Sequence, residues 1–296
     1  ASCTLRNVMA IIRPGFFAPG SIQKAEMAGE IYSPTISHIA NRALLIHAAA
    51  EGNHISGFDL MAAFISATVA SDEHIFIRLP KEWSKDSRKG DVVKLLKCLY
   101  GLKQSPRRWY DCYSVFLREQ GWVECPMEPG LWRKDGMLLS VYVDDSLISG
   151  PSREHVEWEH SVILSKFKGK VINPVMETDD QGIVWQVRDI LGATHRHCPQ
   201  LKRMTITMPE YINKLLVKYS LENARIASTP CVKCDLNDGN EVVFPLKAIM
   251  GALQWVATIC RPDIQFACQL LQRVTKVTGA SVTAAKRILR YLKGTI

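Results

Sequence analysis

Apolar residues recur along this chain at helical spacing in some stretches and in short β-like runs in others. From Ser37 to Ala50, Ile39, Ala43, Ile46 and Ala50 fall at helical intervals, and Gly52 supplies a stop. His54 to Leu60 then reads as a short strand carrying Asp59 at its end, and Ile75 to Leu79 is β-rich. Ser105 suits an N-cap with Pro106 at the first helical position. The helix that follows carries Trp109, Tyr113, Phe116 and Leu117 on one face and stops at Gly121. Leu138 to Val143 and Ser146 to Ile148 are apolar runs joined by Asp144-Asp145, the pattern of a β-hairpin. His155 to Phe167 returns to helix and Ile183 to Val187 to strand. The last third is helical over Glu210–Tyr219, Pro245–Ile259, Ile264–Val274 and Ser281–Leu292. In the final helix Val282, Ala285, Ile288, Leu289 and Leu292 face inward, whereas Lys286, Arg287, Arg290 and Lys293 fall mostly outward. Asp235 to Glu241 is polar and reads as a surface linker. No fixed-period repeat is present.

Composition narrows the class. With 296 residues and 47% hydrophobic content, the chain has material for a sizeable core, which excludes a disordered tail. The length predicts two or three subdomains. No apolar run approaches the roughly 20 residues of a membrane span, and the best, Leu138 to Ile148, is cut by Asp144 and Asp145. Ala1 to Ile12 has no initiator Met and no basic segment before an apolar stretch. The chain therefore reads as a piece of a longer translation product without a signal peptide, in the cytoplasm. Lys plus Arg total 37 against 29 acids, a net charge of +8, which suits a polyanionic partner without requiring one. Nine cysteines are scattered. Cys231 and Cys234 form a CxxC pair, and His195, His197 and Cys198 lie upstream. They are either a zinc site of unusual spacing or reduced side chains of a cytosolic protein.

The acids carry the chemistry. Adjacent carboxylates at the tip of an apolar hairpin repel each other, and desolvation adds to the cost. A plain hairpin turn would favour Gly or Asn beside Asp, and no Gly is present. A divalent cation would offset the cost through hard oxygen ligands. Asp59, at the end of another apolar strand, is a third candidate, although a strand-end role is its simpler reading. If the three converge on one sheet edge, two metals about 4 Å apart would activate a 3′-hydroxyl and stabilise leaving pyrophosphate.

Several blocks then occur in a telling order. They are Tyr32-Ser33-Pro34, Phe58-Asp59-Leu60-Met61-Ala62-Ala63-Phe64, the run Leu99 to Tyr110 (LYGLKQSPRRWY), Val141-Tyr142-Val143-Asp144-Asp145, Arg261-Pro262-Asp263-Ile264, and Ala284 to Thr295 (AAKRILRYLKGT). Together they resemble the reverse transcriptase of Copia-type (Ty1/copia) LTR retrotransposons, from about Glu30 to Ile296.

The resemblance implies an α+β, right-hand polymerase fold with fingers, palm and thumb and a helix-rich C-terminal connection region. Residues 1–175 would be fingers and palm, 176–235 primer-proximal strands and thumb, and 236–296 the connection, with no RNase H domain. It implies RNA-directed DNA polymerase activity with two Mg²⁺ ions, or Mn²⁺, held by Asp59, Asp144 and Asp145. Its partners would be an RNA template, a DNA or tRNA primer, deoxynucleoside triphosphates and other Pol segments such as integrase and RNase H, with no membrane. An intact element would place the protein in a virus-like particle. Phe64 matches the aromatic against the incoming sugar, or is a core residue. Tyr100, Gly101, Lys103, Gln104 and Arg107 match the segment along template and nucleotide, where Lys103 and Arg107 either contact phosphate or are solvated. Tyr142 belongs to the catalytic hairpin. Leu191-Gly192 lies where the family places a strand pair near the primer end. Trp109 and Tyr110 fit the core better than base stacking. One departure is Val8 to Phe16, where only Arg13 is basic and the family carries a basic, triphosphate-binding strand. It favours a second reading, a catalytically impaired nucleic-acid-binding remnant.

Overall fold

A computed structural model of the protein describes Ala18, Gln23 and residues 30–70, 73–78 and 92–296. The expectation for Val8 to Phe16 lies outside the described residues. The chain divides into two compact units, residues 1–44 with 53–172, and residues 45–52 with 173–296.

The first unit contains, in chain order, the start of α1 (His38–Glu51), β1 (His54–Leu60), α2 (Ala63–Ser66), β2 (Phe76–Arg78), β3 (Val92–Lys94), α3 (Ser105–Glu119) and β4 (Val123–Glu124). It continues with β5 (Leu131–Lys134), β6 (Met137–Tyr142), β7 (Asp145–Gly150), α4 (Arg153–Lys166) and β8 (Gly169–Ile172). Six strands form an antiparallel sheet in the order β4-β5-β6-β7-β1-β8. Side chains alternate across a strand, so Phe58 and Leu60 of β1 enter the core that Trp109, Tyr113 and Leu117 of α3 and Val156 and Ile163 of α4 complete. Asp59 takes the opposite face. The core is aromatic. Trp109 stacks on Tyr113 with centroids 5.2 Å apart, and both meet Phe167 edge-on. Each such ring buries a large apolar area.

Helix α3 begins one residue earlier than the N-cap reading of Ser105. Gln104 is the N-cap residue, without a side-chain capping bond. Ser105 is fully buried, and its hydroxyl donates instead to the Leu99 carbonyl at 2.7 Å.

The second unit holds β9 (Val175–Thr178), β10 (Val184–Ile190), β11 (Ala193–Cys198) and β12 (Arg203–Thr207), an antiparallel sheet in the order β12-β11-β10-β9. Leu191 and Gly192 form the two-residue loop between β10 and β11. Both have positive φ, as a type I′ hairpin requires. Helices α5 (Pro209–Lys218), α6 (Leu246–Ile259), α7 (Gln265–Gln272) and α8 (Gly279–Lys293) follow, with a 3-10 turn at Pro262–Ile264. Their core joins Ile212 and Leu216 to Ile249, Leu253 and Val256, and to Ile288, Leu289 and Leu292. Thr278 and Ser281 form a capping box at the start of α8.

The outward cations of α8 are engaged within the unit. Arg287 donates to the Thr229 carbonyl at 3.0 Å, Arg290 to that of Arg225 at 2.5 Å and Lys293 to that of Ala224 at 2.9 Å. Lys286 lies over the Phe244 ring. These cations lie on the outward side of α8, as the periodicity predicts, and there they fasten the segment after α5.

Candidate active site

β1 and β7 are neighbours, and their register sets Asp59 directly opposite Asp145. On the next rung the Leu60 N–H donates to the Asp144 carbonyl at 2.9 Å. Antiparallel rungs alternate, so the Asp59–Asp145 rung is of the non-hydrogen-bonded kind. Cα atoms there stand only about 4.5 Å apart and side chains are closest. Asp145 also closes the β6–β7 hairpin opposite Tyr142, leaving Val143 and Asp144 as a two-residue loop. Three acids separated by up to 86 residues thus share one sheet edge.

The electrostatics reflect that crowding. Burial, then repulsion from Asp144 and Asp59, pushes the Asp145 carboxyl up to about 6. Burial raises Asp144 too; its own backbone N–H opposes the shift and Asp59 adds to it. Lys170, opposite Asp59 on β8, places its ammonium 3.9 Å from the Asp59 carboxylate. That ammonium is largely solvated and compensates weakly. Among the described residues no three His, Cys, Asp or Glu side chains are gathered closely enough to hold a metal ion. This covers both the acids as they stand and the His195, His197, Cys198, Cys231 and Cys234 set. His195, His197 and Cys198 are instead buried in β11. The acids nevertheless fit a hard divalent cation by chemistry. All donors are carboxylate oxygens, and the raised Asp145 marks the repulsion that a cation would relieve.

The turn is strained. Val143 has φ 59, the left-handed region, while Asp144 does not have positive φ. Positive φ at the first loop position alone is the II′ pattern, normally filled by Gly. A β-branched residue there costs about 1–3 kcal/mol. The Trp109 indole N–H donates to the Val143 carbonyl at 2.8 Å.

The remaining expected site residues fall into two groups. Phe64 and Tyr100 pack with centroids 4.7 Å apart. Burial raises the Tyr100 hydroxyl, and Asp144 and Asp59 raise it further, so it lies within their field. Tyr142 stacks at 6.0 Å on His38, a neighbour that periodicity had not singled out. Gly101 has φ 90, and a Cβ there would overlap the Ala18 carbonyl oxygen. The Ala18 N–H in turn donates to the Tyr100 carbonyl at 2.7 Å.

Lys103, Gln104 and Arg107 all have partners within the chain. The Lys103 ammonium donates to the Gln23 carbonyl at 2.6 Å, and Gln104 accepts from the Gln23 side chain at 2.8 Å. Arg107 donates to Asp111 at 2.9 Å and Glu30 at 2.8 Å. The sequence reading missed Lys170 and the Trp109 bond. A strand register gives no local signal for the first. For the second, a buried indole N–H needs an acceptor, but the pattern does not say which.

The chain has known relatives. The family described as Reverse transcriptase (RNA-dependent DNA polymerase) matches residues 16–233. The chain is 28% identical over 283 residues to the Retrovirus-related Pol polyprotein from transposon TNT 1-94 of Nicotiana tabacum, covering 90% of this chain and 20% of that protein. It is 30% identical over 278 residues to the corresponding polyprotein from transposon RE1 of Arabidopsis thaliana, covering 90% and 18%. It is 28% identical over 244 residues to the putative transposon Ty5-1 protein YCL074W of Saccharomyces cerevisiae, covering 79% and 74%. The chain thus spans about a fifth of the two polyproteins.

Proposed function

Because the chain belongs to the reverse transcriptase (RNA-dependent DNA polymerase) family, of the Ty1/copia type, we propose that it is the polymerase segment of a copia-like retrotransposon Pol polyprotein. It would extend a primer 3′-hydroxyl on an RNA or DNA template, as a nucleotidyltransferase. The observation that carries this reading is the Asp59–Asp145 rung with Asp144 in the adjoining turn.

On this reading Asp59, Asp144 and Asp145 would hold two Mg²⁺ ions, with Mn²⁺ a substitute. Such ions supply Lewis-acid activation of the 3′-hydroxyl and neutralise charge on the leaving pyrophosphate. The chain's own residues do the positioning. Phe64, backed by Tyr100, would form a wall against the sugar of the incoming deoxynucleotide, where a 2′-hydroxyl would collide. Tyr142 would lie beside the primer end. Gly101, Lys103, Gln104 and Arg107 would line the template and nucleotide path. Residues 1–175 would act as fingers and palm, 176–235 as primer-proximal strands and thumb, and 236–296 as connection. The +8 charge suits a duplex whose phosphates dominate affinity. Integrase and RNase H segments would be companions in the polyprotein.

Primer extension on an RNA template with Mg²⁺ and deoxynucleotides tests the proposal. Product is expected from the wild type and none from the Asp144→Asn, Asp145→Asn double variant. Absence of product from both refutes it. A second reading, a catalytically impaired nucleic-acid-binding remnant, draws on one observation: Lys103 and Arg107 are already engaged within the chain. Filter binding across a salt series separates the two, because the remnant would show salt-sensitive binding without synthesis.

A further inference from the structure

The turn between the two strands that carry Tyr142 and Asp145 is held from outside by one buried side chain of another motif. Trp109 lies on α3, 34 residues before Val143 in sequence. Its side chain is 2% exposed, stacked on Tyr113 at an interplanar angle of 14° and met edge-on by Phe167 at 5.1 Å. Packed in this way, the indole cannot swing, and its N–H points at the Val143 carbonyl 2.8 Å away. One helical turn on, the Tyr113 hydroxyl lies 3.4 Å from the Ser146 hydroxyl, on the other side of the same turn. Helix α3 therefore engages both the turn and the strand that leaves it.

The geometry has a directional consequence. A turn in which Val143 escaped positive φ would rotate its carbonyl and strand a buried indole N–H without an acceptor. The indole thus selects the strained turn over the relaxed ones that a valine would otherwise prefer. Asp144 is the next residue of that turn and Asp145 the one after, so the turn's form sets where both carboxylates stand.

We propose that Trp109 is a positioning residue for the reaction. Its indole N–H holds the Val143 carbonyl, keeps the turn in its strained form and thereby aims Asp144 and Asp145. The proposal rests on the polymerase reading for its kinetic consequence but not for its geometry.

Two substitutions separate this role from simple core packing. Trp109→Phe keeps an aromatic ring in the stack and removes the donor together with some buried ring volume, a packing loss that is the same in either background of the comparison below. Its kcat is expected to fall about tenfold, the scale of one lost hydrogen bond to a buried partner, with the KM for deoxynucleotide within about twofold of wild type. Val143→Gly removes the aversion to positive φ, so in that background the same Trp109→Phe change is expected to cost less than about threefold. An unchanged kcat in Trp109→Phe, or an equal loss in both backgrounds, overturns the proposal.

The second measurement needs no activity. The Trp109 indole proton, assigned by its disappearance in Trp109→Phe, is expected to exchange slowly with solvent in NMR spectra. Exchange as fast as that of an exposed indole overturns the proposal. If the wild type makes no product, the polymerase reading fails, and fast indole exchange would still overturn the bond by which Trp109 holds the turn.

Discussion

His195 makes the second unit acid-sensitive by a calculable amount. It lies on β11, opposite Arg188 on β10 and Ile206 on β12, and only 7% of it is exposed. Its Nδ1 atom is buried without a hydrogen-bond partner. Protonation would place a second cation beside the Arg188 guanidinium, which burial already pushes down to about 10. Asp189 favours the charged ring. Burial dominates, and the imidazole is pushed down to about 4, against an ordinary value of about 6.5. The unfolded chain therefore binds a proton between those values that the folded chain refuses. Stability is complete above about pH 6.5 and falls with acidification towards pH 4, by about 1.4 kcal/mol per unit. The loss comes to about 2 kcal/mol at pH 5 and about 3.4 kcal/mol below pH 4. Urea unfolding at pH 7.5 and 5.0 measures it, comparing wild type with His195→Leu, in which every other titrating group is retained. The wild type should lose about 2 kcal/mol more than the variant between the two pH values. Equal losses in the two proteins, or a His195 ring signal titrating near pH 6.5 by NMR, would refute the reasoning.

Three further outcomes are expected. Glu159 is buried and accepts from the Trp122 indole at 3.1 Å and the Lys134 ammonium at 2.5 Å. Glu159→Ala strands both donors and should cost about 3 kcal/mol in urea unfolding; a loss under about 1 kcal/mol would contradict the bonding. Asp145 is raised to about 6, so stability falls as pH rises from the ordinary carboxyl value of about 3.9 towards 6 and is level above it. Asp145→Asn should therefore gain about 1–2 kcal/mol at pH 7.5 in metal-free buffer, less than the full shift because solvent screens a half-exposed carboxylate, and a variant less stable than wild type would count against the burial and repulsion that raise it. Gly101→Ala forces a side chain into positive φ and into the Ala18 carbonyl. It should cost about 2 kcal/mol in urea unfolding; a loss under about 0.5 kcal/mol, the scale of an ordinary surface change, would mean that the close approach is absent.

What the sequence disclosed, and what it concealed, follow from one distinction. Patterns set by burial are local and legible; patterns set by pairing are not. The apolar runs on either side of Asp144 and Asp145 announced β6 and β7 because a carboxylate pair between buried runs is costly. The stripes of α3, α5 and α8 were equally plain. By contrast, β9 is exposed at all four positions and β11 reads Ala-Thr-His-Arg-His-Cys. Neither sequence carries the apolar-polar alternation of a half-buried strand, and it is pairing, of β9 with β10 and of β11 with β10 and β12, that makes them a sheet. The meeting of Asp59 with Asp145 is likewise a fact of register across 86 residues. The motif blocks stand between these cases. Their residues were visible, but their dependence on one another was not. The LYGLKQSPRRWY block reaches the YVDD block through the Trp109 indole and the Val143 carbonyl. The RPDI block reaches the AAKRILRYLKGT block through the Tyr291 hydroxyl, which donates to Asp263 at 2.9 Å, while Arg261 lies over the Tyr291 ring. In both pairs a polar atom of one block is the partner of the other. Phenylalanine in place of either Trp109 or Tyr291 would preserve the apolar pattern and break that bond. Hydrophobic periodicity cannot detect such a change, and it is there that the structure adds most to the sequence.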